Sequence, residues 1–154
     1  MPRIDPAAAA VKRGSDYPAP FHEACAGRTR RRLGDVAGLT QFGVNLMRLE
    51  PGAWSSQRHW HAHEDEFVHV LQGEVVLIED GGETVLSAGD SAGFKAGVPN
   101  GHQLVNRTDR DALVLEVGTR APADEAVYSD IDMRVSEATG FTRKDGTPYP
   151  KRTA

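Results

Sequence analysis

Short stretches of alternating apolar and polar residues, separated by turn-forming residues, run through most of the chain. In residues 39–49, Phe42, Val44 and Leu46 alternate with smaller or polar residues, which is the period of a half-buried β-strand. Long helical periods are absent, so the pattern predicts an all-β fold of short strands. The further predicted strands are residues 54–61, 66–71, 75–78, 84–86, 91–95, 102–106 and 112–117, with weaker candidates at 127–128 and 133–135.

Turn residues between these stretches indicate antiparallel connections. The chain contains 16 glycines and 9 prolines, and Asp80-Gly81-Gly82-Glu83 is a strong hairpin signal. The segment 96–101 is another cluster of turn residues. Together, the strands and turns predict a closed or double-sheet antiparallel barrel, a type of fold that binds ligands in its mouth.

A histidine-rich segment spans residues 58–69 and contains four of the six histidines of the chain. His59 and His61 are two residues apart, so on a strand their side chains point to the same face. Glu66 follows closely and offers a carboxylate, while His102 is a candidate for a fourth donor. Imidazole and carboxylate together suit a divalent transition metal such as Zn, Fe, Mn, Ni or Cu. The same period places His69 on the face opposite to Glu66, which makes it a poor ligand candidate.

Residues that could transfer protons also lie near these histidines. Gln57, His63, Glu64 and Asp65 are close in sequence, but no spacing assigns a catalytic role to any of them. For Glu64 and Asp65 the favoured interpretation is a solvated loop, because charged residues in loops are mostly exposed.

Composition narrows the possible partners. A net charge of −4 and a pI of about 5.8 give no reason to expect nucleic acid or an anionic membrane as a partner. The single cysteine, Cys25, excludes an internal disulfide and is compatible with a reducing compartment. No apolar run reaches the roughly 20 residues of a membrane span, and no signal peptide is evident. We therefore expect a cytoplasmic protein.

The chain length of 154 residues suggests one domain. We expect an N-terminal arm at residues 1–32, a barrel at 33–120 and a C-terminal extension at 121–154 that packs on the barrel or on a partner. The basic run Arg28–Arg32 is either an anion or phosphate contact or a solvated segment, and the solvated interpretation is favoured. Trp54 and Trp60 are predicted to share a covered face, from which we expect a homodimer.

The histidine segment and its flanking glycines resemble the first sequence motif of the cupins. The matching residues are Gly52, His59-x-His61, Glu66 and Gly73. One departure is that six residues, and not the usual five, separate Gly52 from His59. The resemblance covers residues of about 40 to 118.

The second cupin motif is matched less closely. Gly89 opens it and His102-x-x-x-Asn106 closes it, but Lys95 stands where a proline is usual. Strict register places Asn100, and not His102, at the position of the ligand. We predict His102 as the ligand because imidazole binds first-row metals better than an amide oxygen does. In addition, Asn100-Gly101 is a turn dipeptide.

The resemblance implies a jelly-roll barrel, often dimeric, with one metal ion held by three histidines and a glutamate. In this chain they would be His59, His61, Glu66 and His102, with Zn, Mn, Fe or Ni as the ion and a small molecule bound in the barrel. The resemblance does not fix a reaction. A metal-dependent isomerase, lyase or dioxygenase acting on a small oxygen-rich metabolite, similar to the sugar-phosphate-isomerase-like cupins, is the first hypothesis. A non-catalytic cupin that binds or senses a small ligand is the second, and a metal that only stabilises the barrel is the third.

Overall fold

The computed structural model describes residues 3–153, and these residues form an almost entirely β structure. The one α-helix in this part of the chain, α1, is a single turn at Leu33–Val36. None of the helices among residues 3–153 is long and apolar enough to cross a membrane. The strands are β1 (Val11–Arg13), β2 (Arg28–Arg32), β3 (Phe42–Leu49), β4 (His59–His61), β5 (Glu66–Gln72), β6 (Glu74–Glu79), β7 (Gly82–Ser87), β8 (Ser91–Phe94), β9 (Gln103–Val105), β10 (Ala112–Thr119), β11 (Glu125–Tyr128), β12 (Arg134–Ser136) and β13 (Gly140–Thr142).

The strands form two opposing layers. One layer is a six-stranded sheet in the order β1-β2-β3-β10-β5-β8. The other contains a three-stranded sheet, β7-β6-β9, and a four-stranded sheet, β13-β12-β11-β4. A backbone bridge between His59 and His102 joins these two smaller sheets. All the pairings are antiparallel, so the predicted all-β fold is confirmed, and it is the architecture of a jelly roll.

The main core lies between the six-stranded sheet and the three-stranded sheet. Each strand contributes alternate residues, as the period of two requires. On β5, for example, Val68 and Val70 are buried whereas Phe67 and Leu71 are exposed. The buried members of this core are Met47, Leu49, Ala53, Val68, Val70, Val75, Leu77, Leu86, Leu104, Ala112 and Val114.

A tight turn links β5 to β6 at Gly73. Its φ of +78° lies in the left-handed region, which favours glycine. A Cβ at this position would lie 2.9 Å from the backbone oxygen of Asp111. Glycine therefore satisfies both the turn and the close approach of the chain that enters β10.

The terminal segments take part in both layers. Strand β2 pairs with β3 along five residues, and β11 pairs with β4. Between them lies a second buried cluster of Tyr17, Cys25, Ala126, Tyr128 and Met133. Residues expected to be an arm and an extension therefore complete the sheets beside the histidine strand. The division into three segments and the homodimer stay predictions.

The strand predicted at residues 54–61 is shorter than expected, since regular pairing begins only at His59. Trp54 forms an isolated bridge and packs against the second cluster. At Ser55 the backbone N–H donates to Leu104 O at 2.8 Å, but the return bond from Leu104 N–H goes to the Ser55 hydroxyl at 2.9 Å. The Ser55 carbonyl instead accepts a hydrogen bond from Arg28. A side chain thus replaces the backbone acceptor and interrupts the sheet.

Candidate metal centre

Four side chains from three parts of the chain meet at one end of the barrel. His59 and His61 alternate on β4, and Glu66 is the first residue of β5 in the opposite layer. His102 lies directly before β9 and beside His59, because the two residues exchange backbone hydrogen bonds of 3.2 and 2.9 Å. The fold therefore brings together all four residues that the sequence analysis selected as metal ligands.

The distances between the side-chain atoms are compatible with one shared ion. Glu66 Oε2 lies 3.8 Å from His59 Nε2, 3.6 Å from His61 Nε2 and 2.7 Å from His102 Nε2. Ligand atoms of His59, His61 and Glu66 all lie within 4.8 Å of one another, and His102 joins this group through Glu66. Neighbouring ligands about 2.1 Å from an ion are about 3.0 Å apart in an octahedron and about 3.4 Å apart in a tetrahedron.

The other ring nitrogens of two histidines fix the direction of their lone pairs. His59 Nδ1 lies 2.8 Å from the carbonyl oxygen of Gln57, and His61 Nδ1 lies 2.6 Å from Asp124 Oδ2. A carbonyl or an ionised carboxylate can only accept, so both Nδ1 atoms carry the proton. The lone pairs of both rings are then on Nε2, the atoms that face Glu66.

The centre therefore brings together electron pairs that one cation could share. Glu66 Oε2 is buried and accepts no well-directed hydrogen bond from residues 3–153, despite its short distance to His102. Two imidazole lone pairs and a carboxylate oxygen repel one another at these distances unless a positive charge lies between them. A divalent transition ion fits this donor set, and Asp124 has the place of the outer carboxylate that often orients a ligating histidine.

His102 is held by stacking rather than by a hydrogen bond. Its ring lies 3.5 Å from the ring of Phe94, centroid to centroid, with 3° between the planes. Within the described chain, its Nδ1 is buried without a hydrogen-bond partner. The preceding Gly101 allows a close approach to Ser129, because a Cβ at Gly101 would lie 3.0 Å from Ser129 Cβ. The position of His102 thus depends on stacking against Phe94 and on the close approach of the chain at Gly101 to Ser129.

Burial keeps the central imidazole of the cluster neutral. It lowers the pKa of His59 from about 6.5 to about 4. Burial has the same direction for His61, but Glu66 and Asp124 outweigh it and raise the pKa of His61. For Glu66, burial opposes the charged form, yet the close contact with His102 and the surrounding imidazoles lower the pKa of Glu66 well below its ordinary value. The carboxylate is therefore ionised, as a metal ligand must be.

Asn100, the alternative to His102, is engaged elsewhere. Its side-chain oxygen accepts from the backbone N–H of Asp80 at 3.0 Å, and its nitrogen donates to Glu79 at 3.0 Å. Asn100 thus ties its turn to the end of β6. This geometry agrees with the choice of His102, and metal ligation by either residue stays a prediction.

The other polar residues near the histidines have different positions. Gln57 is buried and donates to Phe21 O at 2.8 Å, while His63 is exposed. His69 contacts Ser91 Oγ at 2.8 Å, outside the cluster as expected. The remaining two residues are the loop acids. Asp65 is exposed, but the solvated interpretation is wrong for Glu64, whose side chain is 24% exposed and lines the central cavity.

Asp124 is the functional candidate that sequence reasoning missed. It lies 63 residues from His61, in the segment that the sequence predicts only as a C-terminal extension. Its Oδ1 also accepts from the backbone N–H of His63 at 2.8 Å. No local spacing connects an aspartate of this extension with a distant histidine strand, and the pairing of β11 with β4 brings them together.

A cavity of about 340 Å³ opens beside the candidate ligands. Its wall includes all four of them, together with other polar groups on both layers of the sandwich. A small molecule in this cavity would contact the cluster directly. Further residues of the wall are Tyr17, Arg30, Glu64, Glu116 and Tyr128.

Known proteins that are similar to this chain indicate the family to which it belongs. The family model of the cupin domain matches residues 45–118. A curated β-D-galactosidase of Mycobacterium tuberculosis is 38% identical over 100 residues, which are 64% of this chain and 81% of that protein. The chain belongs to the cupin superfamily. The span matched by this cupin's family model includes all four candidate ligands and both layers of the main core.

Two solved structures extend the comparison beyond residues 45–118, the span that the family model matches. A structure described as a sugar phosphate isomerase from a cupin superfamily, from Silicibacter pomeroyi, is 52% identical and covers 97% of each chain, with a TM-score of 0.90. A putative sugar phosphate isomerase from Acidithiobacillus ferrooxidans is 28% identical over 75% of this chain and 74% of its own, with a TM-score of 0.70. The first likeness includes the terminal strands of this cupin as well as its barrel.

Proposed function

We propose that this cupin is a metal-dependent enzyme acting on a small oxygen-rich metabolite, with isomerisation of a sugar phosphate as the leading reaction. The observation that carries the proposal is the convergence of two oriented imidazole lone pairs and an orphaned carboxylate oxygen at the wall of a cavity. The names of the two structural relatives support the choice of reaction.

The residues of this chain would supply binding and orientation. His59, His61, His102 and Glu66 would hold one divalent ion, which when bound polarises a substrate oxygen. Asp124 fixes the His61 ring through the 2.6 Å contact with Nδ1. With these four residues as ligands, the ion could also bind oxygen atoms of the substrate, so adjacent hydroxyl and carbonyl groups would be a suitable pair.

One observation favours a second function, the binding or sensing of a small ligand without turnover. The two carboxylates of the cavity wall other than Glu66 are already bound to protein groups. Glu64 Oε1 accepts from the backbone N–H of Ala121 at 2.8 Å, and Glu116 is held by Arg30 through two contacts of 2.7 Å. Proton transfer in an isomerase requires a group that is free to exchange its proton, and these contacts restrict the two acids.

Proton exchange with solvent tests the proposal. The chelated protein is reloaded with Mn, Fe, Ni or Zn and incubated in D₂O with aldose and ketose phosphates, with the free sugars and with a galactoside. We expect metal-dependent isomerisation, with deuterium incorporated next to the carbonyl and detected by NMR. His61→Ala should abolish it, and the matched variant His69→Ala should retain it, because His69 lies outside the cluster.

The outcomes separate the two functions. If the protein binds one of the sugars saturably but turns over none of them with Mn, Fe, Ni or Zn, the result would support ligand sensing and contradict the enzyme. Release of galactose alone would keep a catalytic role but replace the isomerisation. Equal activity in the His61→Ala and His69→Ala proteins would show that the cluster takes no part in the reaction.

A further inference from the structure

The basic run Arg28–Arg32 is not the solvated segment favoured by the sequence. Its residues form β2, and alternation along the strand directs Arg28 and Arg30 toward the same cavities. Arg28 is only 4% exposed. The run lies between β1 and β3 in the six-stranded sheet, a pairing that a run of arginines does not indicate, and its exposure rises from buried Arg28 to exposed Arg32.

Arg28 carries a buried charge that has no carboxylate in ion-pair contact among residues 3–153. Its guanidinium donates to Gly14 O at 3.2 and 2.6 Å and to Ser55 O. Among residues 3–153 no carboxylate lies within 4.0 Å of it. Burial and the neighbouring charge of Arg30 lower the pKa of Arg28 from its ordinary value. A buried cation held only by carbonyl dipoles creates a positive potential in the space beside it.

That space is a cavity of about 370 Å³, and its wall carries a surplus of positive charge. The wall contains five cationic side chains in the described part of the chain, and three carboxylates lie within ion-pair distance of them. Asp35 is shared by Arg32 and Arg120, at 3.9 and 3.2 Å. The cations are Lys12, Arg28, Arg30, Arg32 and Arg120, and the other two carboxylates are Asp16 and Glu116.

Ser15 provides an independent sign of a missing partner. It lines the same cavity, is 6% exposed, and its hydroxyl makes no hydrogen bond to any residue from 3 to 153. The polar group beside it is the thiol of Cys25, which is a weak acceptor. An unsatisfied buried hydroxyl destabilises the protein unless a ligand or water pairs with it. A hydroxyl donor next to surplus cations suits an oxyanion.

The basic cavity adjoins the cavity of the candidate metal centre. The two have six lining residues in common, so the guanidinium groups and the imidazole rings face adjoining spaces. The shared residues are Tyr17, Arg28, Arg30, Asn45, Arg120 and Tyr128.

From these observations we infer that the basic cavity is an oxyanion subsite, which binds the phosphate or carboxylate group of the small molecule whose other end reaches the metal centre. Its oxyanion would accept hydrogen bonds from Ser15 and Arg120 and lie in the field of Arg28 and Arg30. The connection to the metal centre rests on the proposed function, but the affinity for an oxyanion does not.

Titration with simple anions tests the subsite. The full-length protein, as purified and after chelation, is titrated with inorganic phosphate, acetate or uncharged glycerol at constant ionic strength, and binding is followed by calorimetry and by phosphorus or proton NMR. We expect saturable phosphate or acetate binding in the chelated protein and none with glycerol. The stronger of the two anions identifies the group as phosphate or carboxylate.

Variants of modest structural effect locate the site. Ser15→Ala removes a hydroxyl that has no partner, so folding should be retained while anion affinity falls roughly tenfold or more, as for one hydrogen bond to a charged group. Arg120→Gln, whose side chain is half exposed, should act in the same direction. Arg107→Gln is the matched control, because Arg107 forms an exposed pair with Glu83 and does not line the cavity.

The result also separates this inference from the proposed function. Absence of saturable anion binding, or equal affinity in the Ser15→Ala and Arg107→Gln proteins, would overturn the subsite even if the metal and turnover are present. Conversely, anion binding that is lost in Ser15→Ala in a protein that binds no metal would support the subsite and contradict the proposed enzyme.

Discussion

The metal centre and the basic cavity adjoin each other, and their buried groups suit bound partners of opposite charge. At the metal centre, the Nε2 atoms of His59 and His61 face a carboxylate whose buried Oε2 atom has no hydrogen bond from residues 3–153. In the basic cavity, Arg28 is buried without a carboxylate and the Ser15 hydroxyl has no partner among residues 3–153. The metal centre therefore suits a bound cation, and the basic cavity suits a bound anion. A buried group with an incomplete set of partners thus indicates the charge of what it binds.

The largest effect on metal affinity is expected from His102, the fourth candidate ligand of the metal centre. His102→Ala should lower metal affinity by more than the roughly 10- to 100-fold typical of removing an outer partner, because it removes a ligand. Asn100→Ala should retain most of the affinity, since the Asn100 amide is bound to Glu79 and Asp80. Metal titration of the chelated proteins measures both. Loss of the metal in Asn100→Ala but not in His102→Ala would reverse the assignment.

A smaller effect is expected from the residue that orients a ligand without touching the ion. Asp124→Asn should weaken metal affinity by roughly 10- to 100-fold, because the amide cannot supply the same charge-assisted contact to His61 Nδ1. The oxyanion affinity of the basic cavity should be unchanged. Asp109→Asn is a matched control, since Asp109 is 94% exposed. Equal metal affinities in the two variants would exclude an orienting role for Asp124.

Acidification should affect the two ends differently. The pKa of His59 is about 4 in the folded protein, against about 6.5 in an unfolded chain. The unfolded state therefore takes up this proton first, and stability is lost as pH falls from about 6.5 toward about 4. His61, with its raised pKa, has the opposite sign and partly offsets this loss in the chelated protein.

In the loaded protein, protons also compete with the metal for neutral imidazoles. Metal content and Tm should therefore fall between pH 7 and pH 5, with a smaller change in Tm after chelation. Anion binding through arginines should persist over the same range, because arginine stays charged. Calorimetry and elemental analysis at each pH provide the measurement. A Tm and metal content that do not change from pH 7 to pH 5 would contradict the prediction.

The part of the molecule that could be predicted from sequence is the part encoded by local periods. Val68 and Val70 alternate into the core as expected, and the spacing of His59 and His61 brings their rings together. The approach of Glu66 to this pair also followed from a short separation along the chain. Local alternation therefore predicts the strands of the barrel and most of the candidate metal centre.

The basic cavity depends on contacts between distant segments, which no local period encodes. Arg30 pairs with Glu116 across 86 residues, and the buried guanidinium of Arg28 donates to the carbonyl oxygens of Gly14 and Ser55, which are 14 and 27 residues away. Asp124 reaches His61 through the pairing of β11 with β4. These residues resemble ordinary surface charges in the sequence, because burial of a charge is decided by distant segments. The predicted solvated arm was wrong at Arg28 for this reason.

The metal content of the purified protein tests the central claim most directly. Elemental analysis should find close to one transition metal ion per chain in the wild-type protein and in His69→Ala, and little in His61→Ala. Only trace metal in the wild-type protein, unaltered by supplementation with Mn, Fe, Ni or Zn during expression, would contradict the assignment of His59, His61, Glu66 and His102 as a metal centre.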